Sequence, residues 1–274
     1  MLFKGKTAFI TGASRGIGEA IAVKLASEGA NVVVVAKSTQ EDPRLGGTIH
    51  TAVKKINEAG GRGLAVQCDI RDEEQIIAAV QQAITIFGGI DILVNNASAI
   101  NLSRTPEIEA KRFDLIHDIN VRGTFMVTKY CVPFLKKSAN PHILTLSPPV
   151  SLDPRWIAPH VAYTISKYNM SLMTMGWALE FKDEGIAANA LWPVTTIATA
   201  AVKNLLGGDD LVNRSRKPDI IADAASYILR RPSRECTGNL FLDEEVLKQE
   251  GITNFDHYAV VPGSELQHDL YVMP

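Results

Sequence analysis

Short apolar runs alternate with longer stretches of helical period along most of the chain. Residues 7–11, 31–36, 64–68, 90–97, 142–147, 186–191 and 238–243 read as seven strands, each rich in Val, Ile, Leu or Ala. Their apolar character is nearly continuous rather than alternating, the pattern of strands buried on both faces. Between them, residues 19–28, 48–59, 72–87, 108–135, 161–182 and 218–229 carry helical spacing. The ends are marked chemically. Gly29, Gly60 and Gly61 stop two helices, Asp72-Glu-Glu-Gln75 has capping-box form, and Pro218 stands at a helix start. Strands alternating with helices predict an α/β fold, a doubly wound parallel seven-stranded sheet in three α/β/α layers. No repeat or linker divides it, so residues 1–274 are expected to form a single domain, with residues 192–217 a substrate lid and 244–274 an irregular polar tail.

Composition narrows the function classes. Hydrophobic residues make up 46% and charged residues 21%, enough for a sizeable core, and the formal charge of −2 leaves no basic footprint for nucleic acid. No apolar run is long enough to span a bilayer, and residues 1–6 lead directly into a strand, so a cytoplasmic protein is expected. Cys68, Cys131 and Cys236 lie far apart without metal-ligand spacing and read as small buried hydrophobes; no metal is expected.

The first strand runs through Thr11 into Gly12-Ala-Ser-Arg-Gly-Ile-Gly18 and a helix, and a second strand follows. A Gly-rich turn in this strand–helix–strand context is a dinucleotide fingerprint of the Rossmann type. Its glycines allow a tight turn, close approach of the pyrophosphate and close helix packing, while free N–H groups at the helix start hold phosphate. Cofactor contacts are therefore placed on Thr11, Gly12, Ser14, Arg15, Gly16, Ile17 and Gly18. The acidic residue that usually holds a ribose 2′-hydroxyl is absent after the second strand, where Ala36 and Lys37 stand. Lys37 with Arg15 would attract a 2′-phosphate, which favours NADP(H) over NAD. Asp69, after the third strand, is placed at the adenine end or is a turn or cap. Asn95 and Asn96 end the fourth strand as ligand contacts or as ties between strands.

Tyr163 and Lys167 stand four apart, hence on one helix face. A free tyrosine, with a pKa near 10, is a poor base at neutral pH. A cation roughly 5 Å away at an effective dielectric of ~20 stabilises the phenolate by about 3 kcal/mol, lowering that pKa by about two. Asn120 sits unfavourably in a helix, where it distorts the turn and holds a water or caps a junction. The Met- and Trp-rich stripe of residues 161–182 reads as core or subunit interface. Gly12, Asp69, Asn95, Ser147, Tyr163 and Thr196 all fall at or beyond the carboxyl ends of strands, where such sheets bind ligands.

With these residues assembled, the chain resembles the short-chain dehydrogenase/reductase family across residues 4–243, and in Ser147-Pro-Pro and Asn189-Ala-Leu-Trp-Pro193 its hydroxysteroid dehydrogenase-like subgroup. The resemblance implies Tyr163 as acid/base, Lys167 lowering its pKa and binding the nicotinamide ribose, Asn120 holding a relay water, and a serine bonding the substrate oxygen. It also implies cofactor contacts from Asn96, Ala97, Pro193 and Thr196, and a homodimer or homotetramer built through residues 108–135 and 161–182. The chain departs from the pattern at the serine. Thirteen residues before Tyr163 stands Val150; an insertion in the 148–160 loop would give the role to Ser147, the alternatives being Ser151 or no serine at all. Ser98 and Val194 stand where glycine is usual. The expected activity is NADP(H)-dependent carbonyl–alcohol interconversion on a small, apolar or lipid-like substrate. An epimerase or dehydratase through a transient ketone, or an NADP-binding scaffold, are the alternatives.

Overall fold

The computed structural model describes residues 1–272. Seven strands form one sheet: β1 (Thr7–Thr11), β2 (Asn31–Ala36), β3 (Arg62–Gln67), β4 (Ile92–Asn95), β5 (His142–Leu146), β6 (Ala187–Trp192) and β7 (Leu240–Leu242). Every pairing is parallel and the order is β3-β2-β1-β4-β5-β6-β7. The chain starts in the middle, builds outward to one edge, then crosses back beside β1 and builds to the other. That reversal between β1 and β4 opens a crevice at their carboxyl ends.

Period-two alternation divides the strand side chains between two cores. Ala8, Ile10, Val32, Val34, Ile92 and Val94 face α1 (Gly16–Ser27), α2 (Ile49–Glu58) and α9 (Asp219–Leu229). Phe9, Val33, Val35, Leu93 and Ile143 face α3 (Glu73–Phe87), α5 (Thr124–Leu135) and α7 (Val161–Glu180). Central strands β1, β4, β5 and β6 are buried along their whole length, which is why they read as unbroken apolar runs.

Several boundaries differ from expectation for identifiable reasons. Asp72 caps the backbone of Glu74 and Gln75 without a reciprocal box, because the Gln75 side-chain Oε1 accepts from Asp69 N–H instead. The predicted single helix over 108–135 is α4 (Ala110–His117), one π-helical turn (Asp118–Gly123) around Asn120, then α5. Residues 148–153 form a loop, and Asp153 caps the short α6 (Pro154–Ile157) ahead of α7. Within 192–217 the chain makes a π-helical turn (Val202–Gly207) and α8 (Gly208–Asn213).

The expectation of an irregular tail from 244 onward holds past Gln249 apart from a 3-10 turn at Asp256–Tyr258, but not before it. Residues Asp243–Gln249 form α10, whose Val246 and Leu247 are wholly buried in the first core, and residues 264–272 return across the carboxyl edge of the sheet as a strap. Polar sequence hid this, because the strap docks mainly by backbone hydrogen bonds. Gln267 N–H donates to Arg214 O, Thr196 N–H to Gln267 O, and Asp269 N–H to Val194 O. The last two residues of the predicted tail, 273 and 274, lie outside the described residues.

Candidate active site

The crevice between β1 and β4 holds a groove of about 390 Å³. Gly12, Ser14, Arg15, Gly16 and Ile17 line it from the turn after β1, Lys37 from the end of β2, Asp69 from the end of β3, and Asn96 and Ala97 from the end of β4. The turn can be occupied only by glycine at two points. Gly12 has φ +67°, and a Cβ there would stand 2.8 Å from Ala97 Cα. At Gly18 a Cβ would stand 2.8 Å from the Gly12 carbonyl oxygen and collide with the Asn96 amide. The loop is thus drawn tight against β4 at the start of α1, leaving backbone rather than side chain to face a ligand. Such a cradle fits a dinucleotide pyrophosphate.

Thr11 and Asn96 hold that cradle shut. The Thr11 hydroxyl accepts from Asn96 N–H and Ala97 N–H, each at 3.1 Å, and the Asn96 amide donates to Thr11 O at 2.9 Å and Gly12 O at 3.1 Å. Asn95 donates to Thr128 Oγ1 at 3.0 Å, tying β4 to α5. Both asparagines therefore act as ties between elements, one of the two readings the sequence left open.

The end of the groove at β2 and β3 carries mixed charge. Lys37, exposed for 63% of its side chain, lies 3.8 Å from Asp69. Asp69 is clamped by Arg71, whose hydrogen bonds hold its carboxyl below the ordinary carboxylate range. Arg15 is less free than its position implies: its guanidinium donates to Gly46 O at 2.7 Å and Gly47 O at 2.9 Å, fastening the 41–47 loop over the groove. Asn204 donates to Arg44 O at 2.6 Å from the opposite lip. Within the 192–217 stretch expected as a lid, Thr199, Ala200, Ala201 and Leu205 line this groove. Cys68 also lines it, and burial pushes its thiol up to about 12.

Pro193 and Thr196 are not part of that lining. Thr196 pairs its hydroxyl with Ser215 at 2.8 Å and its N–H with the strap. Thr199, three residues on, reaches the groove in its place.

Beyond the groove, α7 brings Tyr163 and Lys167 onto its buried face, 5% and 2% exposed. Lys167 Nζ donates to Leu146 O at 2.6 Å, at the carboxyl end of β5, and lies 5.1 Å from the Trp192 ring centroid. Ser147 follows Leu146 directly; it is fully buried, and its hydroxyl has no hydrogen-bond partner among the described residues. Ser151 is differently placed, its hydroxyl accepting from Asp153 N–H at 3.2 Å before α6. Asn120 is fully buried. Its carbonyl accepts from Ala99 N–H at 2.8 Å, and its amide donates to Ala99 O and to Ser166 Oγ, each at 3.0 Å. Ser166 in turn donates to Tyr163 O at 2.7 Å. The Asn120 side chain thus staples the end of the β4 loop to α7 just below Tyr163.

The electrostatics reverse one expectation. Desolvation by burial pushes the Tyr163 phenol well above its ordinary value of 10.0, and also brings the Lys167 ammonium down to about 7. The spacing argument placed Lys167 as a cation in high dielectric. The protein instead holds it in a dry pocket, where losing water outweighs the attraction of a neighbouring charge. Two carboxyls the sequence did not single out belong to this end of the sheet. Asp243, fully buried, accepts from Val194 N–H at 2.9 Å and is raised by burial to about 6. Asp269, on the strap, is raised to about 7 by burial and by the nearby Asp243, opposed by the hydrogen bond it accepts from Leu270 N–H and by Lys167.

Among the described residues, no group of three or more His, Cys, Asp or Glu is arranged to hold a metal, and no helix is long and apolar enough to cross a membrane.

Comparison with known proteins agrees with this geometry. Residues 6–208 match the family model for short chain dehydrogenases. Hydroxysteroid dehydrogenase-like protein 2 of Mus musculus is 56% identical over 268 residues, 98% of this chain; the chain spans only 54% of that relative's length. The Homo sapiens protein of the same name is 55% identical over 98% of this chain and 63% of its own. The crystal structure of a short chain dehydrogenase from Mycobacterium thermoresistibile matches with a TM-score of 0.94 and 55% identity, covering 99% of this chain and 96% of that one. The family match and the identity over nearly the whole chain show that the chain belongs to the short-chain dehydrogenase/reductase family, an oxidoreductase family that binds NAD(P), and that it is similar to hydroxysteroid dehydrogenase-like members.

Proposed function

We propose that the protein is an NADP(H)-dependent oxidoreductase that interconverts a carbonyl and an alcohol, with Tyr163 as its acid/base. The observation that carries this reading is the buried, unpartnered Ser147 hydroxyl, one residue from the carbonyl that anchors Lys167. A buried hydroxyl without a partner is costly, so its position calls for a ligand acceptor. A substrate oxygen bonded there stands at the strand end that α7 faces. The bound nicotinamide supplies the hydride. The protein does the rest: Ser147 polarises the substrate oxygen, Tyr163 hands it a proton in reduction and removes one in oxidation, and Lys167 fixes the pocket floor. Burial keeps the Tyr163 phenol protonated at neutral pH, the form that carbonyl reduction requires. Ser151, already engaged with Asp153 N–H, fits the substrate role less well.

Preference for NADP(H) is supported by Lys37 on the groove wall and by Ala36 where an acid would repel a 2′-phosphate. An apolar substrate is supported by the partly buried Ile100, Leu102, Val150, Trp156 and Val194, which pack against the cluster that holds Tyr163. Assembly into a homodimer or homotetramer is supported by α7, where Ile165, Leu172, Met175 and Leu179 form an exposed apolar stripe near Phe125 of α5. Met170 and Trp177, from the same Met- and Trp-rich stretch, are buried in the protomer. The decisive experiment is turnover of a panel of ketones with NADPH and NADH by the wild type and Tyr163→Phe. Loss of about 10²-fold or more in the variant, with NADPH affinity kept, is expected. Undiminished turnover would remove Tyr163 from the role.

A further inference from the structure

Tyr271 is the one non-glycine residue among those described with a left-handed backbone, φ +71°. A bulky side chain persists there only when its surroundings over-determine it, and such outliers gather at functional sites. Its ring is 5% exposed and packs against Trp156, Tyr168 and Trp192, at centroid distances of 6.2, 5.4 and 6.0 Å. Its hydroxyl lies 3.1 Å from Thr164 Oγ1, on the residue next to Tyr163. Trp192 Nε1 fixes the preceding residue by donating to Leu270 O at 2.9 Å. Together with the strap's backbone bonds to Val194, Thr196 and Arg214, these ties make it a fixed wall rather than a loose flap. Tyr163 belongs to the same apolar cluster and is almost completely covered by it. The Tyr271 hydroxyl is tied off at Thr164, so the rest of the residue acts through the packing of its ring.

We propose that Tyr271 is a specificity-determining residue: carried in by the strap, its ring closes the space over Tyr163 and admits slender apolar carbonyl chains in preference to fused-ring ketones. This rests on the carbonyl-reducing role of Tyr163 given above. Removing the ring deletes its contacts with Trp156, Tyr168 and Trp192 and vacates the volume it fills among them. A pocket discriminates by a factor of about 10–200 per methylene-sized clash, so a whole aromatic ring supplies a large preference.

The test measures kcat/KM with NADPH for a straight-chain ketone and a fused-ring ketone in the full chain, and reads their ratio. Variants are Tyr271→Gly, which removes the ring and also relaxes the left-handed backbone, Tyr271→Phe, Tyr271→Leu and Tyr163→Phe. Tyr271→Gly is expected to shift the ratio toward the fused-ring ketone by about tenfold or more, Tyr271→Leu by less, and Tyr271→Phe by less than about twofold, since it keeps the ring. An unchanged ratio in Tyr271→Gly, or a shift in Tyr271→Phe as large, overturns the proposal while an inactive Tyr163→Phe leaves the acid/base role standing. If Tyr271→Gly fails to fold, an unchanged ratio in Tyr271→Leu overturns it equally. A Tyr163→Phe enzyme that still reduces the straight-chain ketone overturns the role of Tyr163 and this proposal together.

Discussion

The two halves of the carboxyl edge are built by opposite means. On the β1–β4 side the groove is made of backbone: glycines remove side chains, and Thr11 and Asn96 lock the turn by hydrogen bonds. On the β5–β7 side the space over Tyr163 is made of side chains, chiefly aromatic, brought from α6, α7, β6 and the strap. A backbone cradle recognises what all its ligands share, a pyrophosphate. A wall of side chains can be altered one residue at a time without disturbing the cradle. Under the proposed function, the first half serves the cofactor and the second the substrate.

Breaking the cradle alone has the largest expected effect. Gly18→Val forces a side chain against the Gly12 carbonyl and the Asn96 amide, and overpacking of this kind costs about 1–3 kcal/mol or more. NADPH affinity should fall by roughly a hundredfold, while near-ultraviolet circular dichroism from the Trp156, Trp192 and Tyr271 cluster stays as in the wild type. Loss of that aromatic signal would show that the halves are not independent. Next in size is Asn120→Ala, which strikes where they join. It leaves Ala99 N–H and C=O and the Ser166 hydroxyl short of a partner, at a cost of about 2–3 kcal/mol. A lower midpoint in urea, with both nucleotide affinity and kcat reduced, is the expected result.

Lys37→Ala sharpens the comparison within the cradle. Losing a charge-assisted contact should weaken NADPH about tenfold and NADH hardly at all, measured by fluorescence titration of each. Equal loss for both would end the 2′-phosphate assignment. The smallest effect belongs to Asp269→Asn, read as the pH dependence of thermal stability. Asp269 rises from an ordinary 3.8 to about 7 on folding, so the folded protein holds its proton more tightly and stability declines as pH rises between those values. Lys167 falls from 10.5 to about 7, so its contribution is lost as pH falls from about 10.5 toward 7. The two together favour a dip near neutrality. Asp269→Asn should flatten the decline on the acid side, Asp243 retaining part of it through its own rise to about 6. An unaltered slope between pH 4 and 7 would place the Asp269 carboxyl outside the enclosed site.

The legibility of the sequence divides along the same line. β1, β2 and the glycine turn were readable because their signals are local: burial on both faces makes a strand uniformly apolar, and a turn that excludes Cβ atoms must be written in glycine. Lys37 and the missing acid at Ala36 were visible for the same reason. The Tyr163–Lys167 pair was recognisable by spacing, but its protonation was not, since the reversed direction comes from water excluded by residues far along the chain. Thr196 and Thr199 could not be told apart until the 196–216 backbone had a path. The strap was the least legible part. Gln267, His268 and Asp269 look like solvent-facing residues, and they dock through main-chain atoms that side-chain patterns do not report.

The strap's bonds to residues 194–196 also set an order of events during synthesis. Every groove-lining residue has been added once Leu205 is joined, but the wall over Tyr163 waits for Tyr271. At about 5–20 residues per second, several seconds separate the two on the ribosome. For that interval a growing chain holds every residue that lines the groove, and of the aromatic cluster around Tyr163 it lacks only Tyr271.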